Sequence, residues 1–267
     1  MLTHSLCCFR GISAEAERRL WRRGCLAWDQ LPRAGHALSS RKGADVVAQL
    51  PLLRAALDGG VADLFLGRLP LGHRLRVWPN FACGTTFLDV ETTGLGPQDE
   101  LTVIGVYRDG CQQTFVRGRN PADFLRIWRQ TSVLVTFNGA RFDWPVLARA
   151  FGLASLPPHI DLLAEARAFG YAGGLKAIER ALGVRRREGE AGDGELAVSL
   201  WRQFANNGSE ASLSHLLRYN AQDVRSLVVL AREVLRRSMD PYPGPRLAVP
   251  SLALPADVGD GEILLAL

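Results

Sequence analysis

The spacing of apolar and polar residues changes period near residue 80. Before it, the pattern is helical. Ser13 precedes a run to Arg23 with Glu15 and Glu17 near its start and Gly24 to stop it, the arrangement of a capped helix with acidic groups at its positive end. On that helix Arg18, Arg19, Arg22 and Arg23 share one broad face; Ala16 and Leu20 lie on another, with Trp21 at its margin. Val46, Val47, Leu50, Leu53 and Leu57 form the apolar side of a second predicted helix over 45–57, interrupted by Gly59-Gly60. Residues 68–79, with Pro70, Gly72 and Pro79, read as an extended connection. A domain boundary is expected near residue 80.

Beyond it the period becomes that of strands. Segments 86–91, 101–107 and 111–116 are predicted strands, the last two joined by Arg108-Asp109-Gly110, a hairpin signal. Pro121 opens a predicted helix over 122–130, and the β-branched run 132–137 reads as a buried strand. Three strands, a helix and another strand imply a mixed sheet with helices packed on it. A helix over 146–151, a short apolar segment around Asp161 and an amphipathic stretch over 174–182 follow. Residues 209–237 form the longest helical pattern, with Leu213, Leu216, Leu217, Val224, Leu227 and Val228 on one side. From 238 onward Pro241, Pro243, Pro245, Pro250 and Pro255 mark a surface or flexible tail ending in the apolar Ile263-Leu264-Leu265.

Composition narrows the class. The 267 residues are 47% hydrophobic and 22% charged, an ordinary globular profile. Lys and Arg total 32 against 27 Asp and Glu, a basic excess that suits a polyanion without demanding one. Cys7, Cys8, Cys25, Cys83 and Cys111 form no CxxC pair and no zinc spacing, which points to reduced thiols and a cytoplasmic protein. No apolar run approaches a membrane span, and the start lacks the pattern of a signal peptide.

Candidate chemistry sits at strand and helix ends. In the strand Phe87-Leu88-Asp89-Val90-Glu91, Asp89 and Glu91 project from one face and Val90 from the other. Two carboxylates so close repel unless a cation lies between them, and a divalent metal held by oxygen ligands is the common solution. Thr92-Thr93-Gly94-Leu95 then turns the chain. Asn138 and Gly139 end a later strand, and Phe142-Asp143 lie where that edge meets a helix, as site residues or as a turn and a helix cap. Tyr219 and Asp223 are four apart on the long helix, beside its apolar stripe. Arg185-Arg186-Arg187 could grip phosphates or be neutralised by Glu188, Glu190, Asp193 and Glu195. Asp161 reads as structural or, alternatively, as a residue supporting the site from one shell out.

Taken in order, D-x-E, N-x-x-x-F-D and Y-x-x-x-D over residues 81–237, with "GLKAIERALGV" and "LLRYNAQDV", resemble the DEDD (DnaQ-like) 3′–5′ exonucleases. The likeness is to their tyrosine branch and, within it, to the YprB-type ribonuclease H-like domain; Arg218 stands where the histidine branch has His. The resemblance implies an α/β, ribonuclease H-like mixed sheet flanked by helices and preceded by a small helical N-terminal region (1–80), with the tail at 238–267. It implies two divalent cations, Mg²⁺ or Mn²⁺, about 3.5–4 Å apart. Asp89 would bridge them, Glu91 and Asp223 would complete one site, and Asp143 would hold the second. Tyr219 would orient the attacking water, because a phenol near pKa 10 is a poor base. Thr92, Thr93, Gly94, Leu95, Asn138 and Phe142 would contact the terminal nucleotide of a nucleic-acid substrate. The alternative is a catalytically silent nucleic-acid-binding module of the same fold. Separately, the stretch from Phe9 to Gly24 resembles a helix-hairpin-helix element, with Ser13 where that family has its second hairpin glycine.

Overall fold

The computed structural model of the chain describes residues 1–33, 40–94, 96, 98–186, 194–245 and 247. Leu95, Arg187, the acidic positions 188, 190 and 193, and the tail from 248 onward lie outside the described residues.

The N-terminal region holds α1 (Ala14–Arg22), α2 (Ser40–Val47), α3 (Leu50–Asp58) and α4 (Ala62–Leu66). Ser13 caps α1 by accepting from the Ala16 N–H at 3.1 Å. The helix-hairpin-helix expectation meets a single α-helix here, since residues before α1 form 3-10 turns. The continuous helix expected over 45–57 is instead two. Pro51 sits in the first turn of α3, where its missing N–H costs nothing; in mid-helix it would remove a hydrogen bond and clash. The connection expected to be extended over 68–79 contains a 3-10 helix, Arg74–Asn80, which buries Leu75, Arg76, Val77 and Trp78. Burying Leu75, Val77 and Trp78 and pairing Arg76 with Glu17 outweighs the local signal of Pro79.

The remainder supplies β1 (Thr85–Thr92), β2 (Leu101–Arg108), β3 (Cys111–Val116), α5 (Phe124–Arg129), β4 (Val133–Thr136), α6 (Asp143–Phe151), β5 (His159–Asp161), α7 (Leu162–Arg167), α8 (Leu175–Ala181), α9 (Gly194–Asn207) and α10 (Glu210–Met239). The sheet order is β3-β2-β1-β4-β5, antiparallel among β1, β2 and β3 and parallel among β1, β4 and β5. It is the mixed sheet anticipated. Asp109 and Gly110 both have positive φ, 49° and 82°, as the two-residue hairpin turn requires. The sequence reading missed α9, although Leu196, Ala197, Leu200, Trp201 and Phe204 carry a helical period. Its α6 starts three residues late: Asp143 lies inside the first turn and Phe142 is the capping position.

Alternation on β1 and β2 divides the core. Leu88, Val90, Ile104 and Val106 pack with Phe124, Ile127, Val146 and Leu147 of α5 and α6. Phe87, Val103 and Tyr107 belong to clusters on the α10 side, and the larger of these runs unbroken into the N-terminal helices through Trp21, Phe65 and Trp78. Asp89 and Glu91 share the α10 side with Phe87.

Candidate metal centre

Position 105 sets how near α10 comes to the sheet. Gly105 on β2 pairs with Asp89 on β1, and a Cβ there would fall inside Asn220 and Val224 of α10. Without that carbon, α10 settles close enough for Asn220 to reach β1. Its Nδ2 donates to Asp89 Oδ2 at 2.9 Å and to Glu91 Oε1 at 3.3 Å. Sequence reasoning gave Asn220 no role; its place one residue after Tyr219 and three before Asp223 was the available signal. A register shift between Glu91 and Thr92 ends regular pairing where the carboxylates cluster, as bulges beside sites often do.

Oxygens of Asp89, Glu91 and Asp223 lie within 4.8 Å of one another. They line a pocket of about 160 Å³ together with Thr92, Phe142, Val198 and Tyr219. Asp143 is placed differently. β4 pairs with β1 only as far as Phe87, so the Val90 N–H is left to another acceptor, and Asp143 Oδ1 takes it at 3.1 Å. The turn that delivers Asp143 depends on Asn138, at φ 60°, and on Gly139, where a Cβ would strike Thr136 and Asp143. Asp143 thus lies at the β1 edge, bonded to the residue between Asp89 and Glu91 and close enough to Asp89 to repel it, outside the three-carboxylate group.

The other sequence candidates divide. Thr93 Oγ1 donates to Asp99 Oδ1 at 3.0 Å, and Gly94 packs against the same aspartate. The Asn138 N–H donates to Asp161 Oδ1 at 2.8 Å, and Asp161 caps α7 through the Leu163 N–H. Thr93, Gly94 and Asn138 do not line the pocket; Thr92 and Phe142 do.

Burial and mutual repulsion make these acids reluctant to ionise. Asp89 is held well above the usual carboxylate range by burial, then by Asp223, Glu91 and Asp143. Glu91 is pushed up to about 8 by burial and Asp223, and Asp143 to about 7 by burial. Asp223 is raised by burial, against the opposing pull of Arg186. Two cations answer this charge. Arg186 binds Asp223, and Lys176 of α8 donates to the Tyr219 hydroxyl while its Nζ stands 4.5 Å from the centre of that ring. Burial and the neighbouring Asp223 keep the Tyr219 phenol protonated, well above its ordinary range. Among the described residues, the metal-ligating groups at the pocket are carboxylate oxygens, with too little positive charge beside them to ionise together. A divalent cation of the Mg²⁺ or Mn²⁺ type fits that set; a zinc site would use His or Cys.

Among the described residues no helix is long and apolar enough to cross a membrane. No curated protein matches the chain. Among solved structures, the family B DNA polymerase from the hyperthermophilic archaeon Pyrobaculum calidifontis is similar, with a TM-score of 0.46 and 23% identity over 57% of this chain. The aligned part spans 24% of that polymerase. A family model of the RNase_H superfamily (RNase_H_2) matches residues 86–235. That match runs from β1 to the last turns of α10 and takes in every carboxylate of the pocket. The sheet and its flanking helices are accordingly ribonuclease H-like, and the chain belongs to the RNase_H superfamily.

Proposed function

We propose that the protein is a metal-dependent 3′–5′ exonuclease of the DEDD type, tyrosine branch, and close to the YprB-type domain. The observation that carries this reading is the meeting of Asp89, Glu91 and Asp223, far apart in the chain, around one pocket beside Tyr219. Asp89, Glu91 and Asp223 would hold one Mg²⁺ or Mn²⁺, and Asp89 with Asp143 a second. The chemistry such cations supply when bound is acidification of a water and stabilisation of a departing 3′ oxygen.

The chain's own groups do the rest. Asn220 fixes the orientation of Asp89 and Glu91 through its amide, so the cluster is aligned before any ligand arrives. Tyr219 accepts from Lys176, which leaves its own proton to donate to an oxygen in the pocket. A phenol held above its ordinary range is a positioning group rather than a base. Phe142 offers an apolar ring at the pocket wall for a terminal base. The substrate is a nucleic acid with a free 3′ end.

The test is degradation of 3′-end-labelled DNA and RNA by the purified chain with Mn²⁺, with Asp89→Asn and Asp223→Asn as controls. Shortening from free but not blocked 3′ ends, lost in both variants, is the expected result. Equal activity in the variants would remove these carboxylates from the reaction.

A further inference from the structure

The cations beside the pocket have an arrangement that the metal reading alone leaves unused. Glu179 lies one helical turn after Lys176 on α8, with its side chain 4% exposed. It receives Arg186 as a fork: Nε donates to Oε2 at 2.7 Å and Nη2 to Oε1 at 2.5 Å. The same Nη2 also reaches Asp223 Oδ1, and the guanidinium carbon stands 5.6 Å from the centre of the Tyr219 ring. Arg186 is therefore anchored by one acid that lies outside the pocket and rests on a second acid that belongs to it.

A guanidinium and a divalent cation draw on the same carboxylate charge at Asp223. In a low-dielectric pocket they repel each other, so binding of one weakens the other. Glu179 limits how far a displaced Arg186 can travel and keeps it next to Tyr219. A fork of N–H donors in that place matches the oxygens of a phosphate better than any other group a nucleic acid presents.

Building on the metal-centre reading, we propose that Arg186 is a phosphate-positioning residue parked on Asp223. It neutralises Asp223 while the carboxylates hold no cation, yields it when the cation binds, and turns, still held by Glu179, to a phosphate oxygen of the substrate. Glu179 is the residue that positions it. Metal and phosphate then assist each other's binding through one side chain, and the coupling is reciprocal.

Calorimetric titration separates this from a structural role. The full chain and Arg186→Gln are titrated with Mn²⁺ alone, then with adenosine 5′-monophosphate at saturating Mn²⁺. The expected result is Mn²⁺ binding at least about fivefold tighter in Arg186→Gln, and nucleotide binding at least about fivefold weaker. An arginine that merely props up the pocket would have the opposite effect on Mn²⁺, since Asp223 would drift when released. Unchanged or weaker Mn²⁺ binding, or unchanged nucleotide binding, overturns the proposal. Should Arg186→Gln fail to fold, Arg186→Lys keeps the charge and loses the fork; nucleotide affinity equal to wild type in that variant also overturns it. Absence of Mn²⁺ binding by the wild type, or undiminished binding in Asp89→Asn, would instead remove the metal centre itself.

Discussion

Two arginines whose side chains are largely shielded from water show how the same chemistry is used in opposite ways. Arg76, in the N-terminal region, is 1% exposed and donates to Glu17 Oε2 at 2.7 Å; its other donors meet Ser238 and Cys7 Sγ, and it lies over the Trp21 ring. The second Glu17 oxygen accepts the Cys7 N–H at 2.9 Å. One cation faces one anion, and the neighbours satisfy the remaining atoms. Around Arg186, by contrast, Asp89, Glu91, Asp223 and Glu179 face, among the described residues, Arg186 and Lys176 at close quarters. A balanced, closed network ties α1 to the end of α10 and makes a joint. A network with surplus charge of one sign beside a pocket has room for a further cation. Charge balance separates scaffold from site here, whereas burial alone does not.

That contrast can be broken most directly at the site. Asp89→Asn or Asp223→Asn should lower Mn²⁺-dependent degradation by at least about a thousandfold, the upper end of what a single preorganised polar group supplies. Circular dichroism should show the fold intact. Matching loss of helix signal would mean that these acids are scaffold after all.

Arg76→Leu should do the reverse. It leaves Glu17 buried without its partner, which typically costs about 3–5 kcal/mol. Urea denaturation should read that loss, with activity per folded molecule unchanged. A stability within about 0.5 kcal/mol of wild type would show that the joint carries no weight.

The surplus charge also predicts a pH dependence. Glu91 titrates near 8 and Asp143 near 7 in the folded chain, against ordinary values of 4.5 and 3.8. The folded state therefore binds more protons than the unfolded state between those values. Metal-free stability should fall as pH rises from about 4 to about 8 and level off beyond. Mn²⁺ competes with those protons, so its gain in melting temperature should be larger at pH 8 than at pH 5. Scanning fluorimetry with and without Mn²⁺ reads both; a gain that shrinks with rising pH would contradict the assignment.

The smallest effect is expected at Tyr219. Tyr219→Phe keeps the ring and the carboxylates and removes one hydrogen bond worth about 1–1.5 kcal/mol. It should slow degradation by roughly tenfold and leave Mn²⁺ affinity unchanged. A loss as deep as that of Asp89→Asn would make the phenol more than a positioning group.

Much of this was legible along the chain because neighbouring residues decide it. Period-two alternation put Asp89 and Glu91 on one side of a strand and Val90 on the other; Asp109-Gly110 declared a hairpin; four-residue spacing stacked Tyr219 and Asp223 on α10. Strand pleat, turn chemistry and helix pitch are properties of a few consecutive residues, so they can be read without a fold. Tertiary structure decided what those side chains meet. Glu17 reads locally as a dipole residue, and its burial against Arg76 required the 3-10 helix that sequence pattern had taken for an extended link. Asn220 reaches Asp89 only because Gly105, on another strand, has no side chain. Asp143 binds the Val90 N–H only because β4 stops pairing there. Arg186 looked like one of three equivalent arginines until Glu179 and Asp223 closed on it. Each of these depends on packing between separate elements, and no local period encodes which distant group will fill the space.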